Sequence, residues 1–177
     1  FDAAIFDLDG VVTRTARVHA AAWKEVFDGY LTRRAAREGR ALAPFDVERD
    51  YRRYVDGRPR EDGVRSFLAS RGIELPHGIP GDPEDRETIC GLANRKNGCF
   101  RRALHEQGVE PFESTIRCIH ALRAAGLKTA VVSSSRNCVD VLEAAGIRDL
   151  FDAKVDGLDL LEKGLQGKPA PDMFLHA

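Results

Sequence analysis

Two aspartates and a glycine close the first apolar run of the chain, Ala3-Ala4-Ile5-Phe6-Asp7-Leu8-Asp9-Gly10. Apolar residues up to Asp7 predict a strand buried on both faces. Side chains alternate along a strand, so Asp7 and Asp9 face the same way. The carboxyl end of a buried strand is where ligands bind in open α/β sheets. Two carboxylates there repel each other unless a shared proton or a cation intervenes, and a hard, oxygen-preferring cation such as Mg²⁺ suits them. Gly10 lets the backbone turn and approach a ligand. Taken alone, the same four residues also suit a turn or a helix cap.

Two later signals fit a phosphate site. Ser133 ends a second apolar run, Leu127 to Val132, so its hydroxyl and the N–H groups of Ser134 and its neighbours can hold phosphate oxygens. It equally suits a cap for the next helix. Lys168 lies in Gly167-Lys168-Pro169-Ala170-Pro171-Asp172, where prolines stiffen the chain. A cation held there neutralises a carboxylate nucleophile and an incoming phosphate, although most lysines are simply exposed.

The elements that must position these residues follow from periodicity. Helices are predicted over Arg17–Phe27, from an Asp46 cap through Val55, over Arg60–Arg71, and from an Asp82 cap with Pro83 to Gln107. Residues 73–82 read as a loop. Beyond Pro111 the pattern changes to a helix over Ser114–Ala125, a strand over Leu127–Val132 and a helix over Asn137–Ala145. Strand, helix, strand is the grammar of a parallel sheet. The expected fold is α/β: a Rossmann-like parallel-sheet core, residues 1–14 and 108–177, interrupted by an all-helical cap domain, residues 15–107.

Composition narrows the partners. The 177 residues carry a formal net charge of −1, so no global field draws the chain to nucleic acid or anionic membrane. No apolar run approaches the ~20 residues that span a bilayer. Arg33, Arg34, Arg37 and Arg40 read as a solvated helix face without interleaved aromatic residues. Cys90, Cys99, Cys118 and Cys138 form no C-x-x-C pair, which suits reduced thiols in a cytoplasmic protein.

The ordered motifs resemble the haloacid dehalogenase superfamily of phosphotransferases, and within it the β-phosphoglucomutase-like branch. The stretches that carry the resemblance are Phe6 to Val11, Thr13, Thr15, His19 with Ala22-Trp23-Lys24, Gly57 with Arg60-Glu61-Asp62, Arg95-Lys96-Asn97, Ser133 with Ser135 and Asn137, and Lys168 to Asp172. The resemblance implies an Mg²⁺-dependent phosphotransferase acting on a hexose phosphate, converting β-glucose 1-phosphate to glucose 6-phosphate through an aspartyl-phosphate. Asp7 would be the nucleophile, Asp9 the acid and base, and Lys168 the neutralising cation. The Asp7 side chain and the Asp9 backbone carbonyl would bind metal. Arg60 would hold a second phosphate. Gly10, Ser133, Ser134, Ser135, Arg136, Asn137, His19 and Lys96 would contact substrate or phosphate. A sugar-phosphate phosphatase shares every core residue and is the alternative; an inactive sugar-phosphate binding module is the second. Arg60 also suits a surface pair with Glu61 or Asp62.

Three departures from the branch stand out. Arg14 replaces the acidic residue usual after Thr13, and Asp56 stands where a basic residue is common. The family's last strands and acidic metal motif are expected beyond Ala177, so the chain is expected to be part of a longer protein with the C-terminal part of its core missing here.

Overall fold

The computed structural model describes residues 1–177. In chain order it forms β1 (Ala3–Asp7), α1 (Thr15–Glu38), a π-type turn (Tyr51–Val55), α2 (Arg60–Ala69), α3 (Ile89–Gln107), α4 (Glu113–Ala124) and β2 (Lys128–Val132). Then follow α5 (Cys138–Ala144), a short 3₁₀ turn (Arg148–Leu150), β3 (Ala153–Val155), α6 (Gly157–Glu162) and α7 (Asp172–His176). The chain divides into two compact units, Phe1–Arg17 with Gln107–Ala177, and Val18–Glu106.

The first unit is α/β, built on a parallel three-stranded sheet in the order β1-β2-β3. Its register sets Asp7 beside Val132, and Val132 beside Val155. All three strands therefore end at one level, and Leu8, Ser133 and Asp156 follow along one edge. β2 is central and buried from Thr129 to Val132, as its β-branched run predicts. Val132, Val155 and Met173 form a core cluster with Leu160 and Leu165 packed against it.

Contrary to expectation, β1 is not buried on both faces. It pairs with β2 alone, and Ile5 is 42% exposed. An apolar run reports hydrophobicity but not which neighbour covers each face. β3 and α6 were not anticipated, because three residues are too few to show a period.

The second unit is helical. Its centre is an aromatic cluster in which Phe27 lies 4.1 Å from Phe67, 4.9 Å from Trp23 and 5.3 Å from Phe45, centroid to centroid. Gly63 faces the Trp23 ring, where an added Cβ would come within 3.2 Å. Asp50, 2% exposed, accepts the Asp46 N–H and a hydrogen bond from Arg71, which lies over Phe67.

Helix limits differ from the sequence reading in three places. α1 continues past Phe27 because buried Tyr30 and Leu31 extend its apolar stripe, and it ends before Gly39, whose φ is 64°. Its arginines are not merely solvated: Arg34 pairs with Glu38 and Arg37 with Glu87, while Arg40 reaches back to Glu38 from beyond the helix. Asp46 accepts from the N–H groups of Glu48 and Arg49 as expected of a cap, but the segment it starts widens into the π-type turn. Asp82 does not cap a helix at Pro83. Its carboxylate accepts from the Ile79 N–H and the Thr88 hydroxyl, so α3 begins only at Ile89. Gly91 belongs there because a Cβ would lie 2.2 Å from the Arg86 carbonyl oxygen.

Candidate active site

The edge at which the three strands end carries most of the residues singled out above. Asp7, half-buried, ends β1. Its Oδ1 accepts from Lys168 Nζ at 2.6 Å and from the Leu8 N–H at 2.9 Å. Lys168 also lies 3.5 Å from the Val132 carbonyl oxygen and 5.2 Å from the centre of the Phe174 ring. Its loop is tied down at one end by Asp172, which accepts the Gln166 N–H. A cation held 161 residues away in sequence thus sits on the first aspartate.

Asp9 has different partners. Oδ1 accepts the Thr15 hydroxyl at 2.6 Å, and Oδ2 accepts the Ser133 hydroxyl at 3.0 Å. Thr15 is itself 2.7 Å from the buried Thr13 hydroxyl. Gly10 sits between them with φ 85°, its N–H donating to the Thr13 carbonyl; a side chain there would be strained and would also crowd Ala16. In sequence Thr13 and Thr15 stand only among the stretches that carry the family resemblance. Their hydroxyls are what orient Asp9, and the signal for it was two threonines following two aspartates. Arg14, the unusual residue between them, pairs with Glu110 at 3.1 Å and lies over Phe112.

Ser133 is fully buried and contacts Asp9 rather than Asp7. Its N–H is committed to Val155, continuing the β2–β3 ladder, and its hydroxyl also accepts the Ser135 N–H. The Ser135 hydroxyl accepts the Asn137 N–H, and the Ser134 hydroxyl points to the Met173 sulfur at 3.8 Å. Ser133, Ser134, Ser135, Arg136 and Asn137 therefore form a tight serine-rich loop leading into α5. Behind it, burial drives the Cys138 thiol up to about 12, which leaves that cysteine un-ionised and unreactive at neutral pH.

Next to this loop, Lys154 bridges Asp156 and Asp159 at 2.7 and 2.8 Å. Burial raises the Asp159 carboxyl, but hydrogen bonds from Lys154 and from the Asp156 N–H outweigh it and bring it to about 2. A carboxyl depressed in the fold contributes stability above its unfolded value and loses it as pH falls through the folded one. Asp159→Asn is therefore expected to cost about 1–2 kcal/mol at neutral pH and only a small part of that near pH 2, after allowance for partial exposure. Urea midpoints of both proteins from about pH 5 down to about pH 2 check this; curves that stay parallel contradict it.

The remaining candidates lie in the helical unit. His19 and Lys96 are buried together, Nδ1 to Nζ 2.6 Å. The His19 ring stacks on Phe100, and Lys96 Nζ lies about 5 Å from the Trp23 and Phe100 ring centres. Arg60 begins α2, largely buried, with Nε 3.5 Å from Glu61; Asp62 pairs with Arg65 instead.

Asp7 Oδ2 and the Asp9 backbone carbonyl are hard oxygen donors of the kind Mg²⁺ prefers. No three His, Cys, Asp or Glu side chains gather in one place. The residues fit part of an octahedral shell of about six ligands. No helix is long and apolar enough to cross a membrane.

The parallel sheet thus delivers an aspartate from its first strand to a lysine, with a second aspartate and a serine loop beside it. The family model for haloacid dehalogenase-like hydrolases matches residues 1–177, and the chain belongs to that family. Within it the likeness is to the β-phosphoglucomutases. The chain is 52% identical over 175 residues to the β-phosphoglucomutase of Mycobacterium bovis, covering 99% of this chain and 67% of that protein. It is 34% identical over 176 residues to the Bacillus subtilis β-phosphoglucomutase, covering 99% and 67%. The crystal structure of a Clostridium difficile β-phosphoglucomutase shares the fold, with a TM-score of 0.72 at 24% identity, covering 99% of this chain and 68% of that one. The chain spans about two thirds of the length of these relatives.

Proposed function

We propose that the protein is a phosphotransferase of the β-phosphoglucomutase kind, acting on a hexose phosphate and converting β-glucose 1-phosphate to glucose 6-phosphate. The observation that carries this reading is the Lys168–Asp7 contact beside an Asp9 held by hydroxyl donors. The identity to β-phosphoglucomutases supports it.

Asp7 attacks phosphorus through its outer oxygen; the bond from phosphorus to the leaving oxygen breaks, and an aspartyl-phosphate forms. Lys168 reduces the repulsion between carboxylate and phosphate. Asp9 gives a proton to the leaving oxygen and later takes one from the sugar hydroxyl that accepts the phosphoryl group. To do so it exchanges Thr15 or Ser133 for a substrate oxygen. Asp7 and the Asp9 backbone carbonyl would hold part of the shell of an Mg²⁺, which would supply the remaining screening of charge. Gly10 and the loop from Ser133 to Asn137 receive the transferring phosphate, while His19 and Lys96 contribute to the sugar side. A soluble phosphorylated sugar as substrate, with four cysteines outside disulfides in the protein, suits the cytoplasm.

A mutase holds a bisphosphorylated sugar in two orientations, so its non-reacting phosphate needs its own cation. We assign Arg60, at the start of α2, where a guanidinium can grip phosphate with two parallel hydrogen bonds. The Arg60–Glu61 pair favours the alternative, a sugar-phosphate phosphatase in which water accepts the phosphoryl group. The two readings separate in one variant. For the mutase, Arg60→Ala lowers kcat/KM on β-glucose 1-phosphate with a bisphosphate primer by on the order of 10²–10³, and barely changes hydrolysis of a small phosphoryl donor. Equal losses on both substrates, or phosphate release faster than glucose 6-phosphate formation in the unmutated protein, establish the phosphatase.

A further inference from the structure

We infer that Gly157, at the corner between β3 and α6, is a positioning residue for the Ser133–Arg136 loop; the inference rests on the proposed phosphate-binding role of that loop. Gly157 is not there for backbone freedom, since it is absent from the glycines with positive φ. It is there because the loop lies directly on it. A Cβ at this position would sit 2.6 Å from the Ser134 carbonyl oxygen and 2.9 Å from the Arg136 nitrogen, and both of those are main-chain atoms. The Gly157 N–H donates to the Ser135 carbonyl at 3.1 Å, and the Ser133 N–H donates to Val155 at 3.0 Å. Four successive loop residues, Ser133 to Arg136, thus lie against two residues of one corner, Val155 and Gly157.

The corner is itself held firmly. Asp156, with no exposure, caps α6 by accepting from the Leu158 and Asp159 N–H groups at 2.8 and 3.2 Å. Asp159 returns the bond by accepting the Asp156 N–H at 3.0 Å, closing a capping box. Lys154 neutralises both carboxylates from the strand side. Hydrogen-bond donors aimed at a transferring phosphate lose much of their effect when displaced by a fraction of an ångström. A glycine that sets the height of the loop therefore sets its grip on phosphate, although it does not touch the ligand itself.

The test is titration of the purified protein with inorganic phosphate, followed by amide resonances, for four proteins. Gly157→Ala must push the loop aside. It is expected to raise the phosphate Kd about tenfold or more and to shift the Ser134–Arg136 amides before phosphate is added. Lys154→Met loosens the corner without adding an atom against the loop, and is expected to raise Kd about threefold. Leu158→Ala, at an exposed neighbour, leaves Kd unchanged. A purely structural role would lower the melting temperature of the first two variants without moving Kd. A folded Gly157→Ala protein that binds phosphate within about twofold of the unmutated one overturns the inference and leaves the functional reading standing. Should that variant not fold, an unchanged Kd in Lys154→Met overturns it equally. Absence of phosphate binding in the unmutated protein overturns the functional reading, and the inference with it.

Discussion

Replacing Asp7 by Asn is expected to abolish phosphoenzyme formation, lowering turnover by on the order of 10⁴ or more. The substitution keeps the shape of the side chain. Its amide oxygen can still accept from Lys168 and from the Leu8 N–H, the two bonds now made by Oδ1. What it removes is the outer carboxylate oxygen, and an amide nitrogen there is a very poor nucleophile. Stability should change little, because the site is half-exposed and both hydrogen bonds survive. Intact-mass spectra after exposure to a small phosphoryl donor read the result directly. An added phosphate that persists in Asp7→Asn places the nucleophile elsewhere.

Asp9→Asn is expected to behave differently, which is what separates an acid and base from a nucleophile. Transfer to or from a sugar hydroxyl should fall by about 10²–10⁴, the usual worth of a positioned proton donor. Phosphoenzyme formation from a donor with a good leaving group should persist, since such a leaving group needs no proton. The fold should tolerate the change. The Thr15 and Ser133 hydroxyls can rotate, one to accept from the new amide and one to donate to it. Rapid-quench measurement of phosphoenzyme, beside steady-state transfer to sugar, checks both halves. Equal loss of the two steps removes Asp9 from the proton-transfer role.

Much of this was readable before any coordinates. An apolar run ending in Asp7-Leu8-Asp9-Gly10, a second ending in Ser133, and a lysine between a glycine and a proline are local patterns, and local patterns carry strand ends and stiff loops. The helix caps were less legible. Asp46 behaves as its position suggests, whereas Asp82 does not, because Thr88 and the Ile79 N–H claim its carboxylate from outside the anticipated helix. α1 is a different case: Tyr30 and Leu31 continue the stripe of Trp23, Val26 and Phe27 at helical spacing, so periodicity itself carries the helix past Phe27.

The order of the motifs and the chemical types at the ends of β1 and β2 were thus settled by the chain alone, since hydrophobic period and turn chemistry act between residues a few positions apart. Which donor meets which acceptor was settled by the packed sheet. Its register aligns Asp7, Val132 and Val155 at one level, bringing together residues more than a hundred positions apart. That alignment gives Lys168 to Asp7 and Ser133 to Asp9. It also sets Gly157 beneath the serine loop, after a strand too short to declare itself. Hydrogen bonds are directional and act over about 3 Å, so only the relative placement of whole strands decides them.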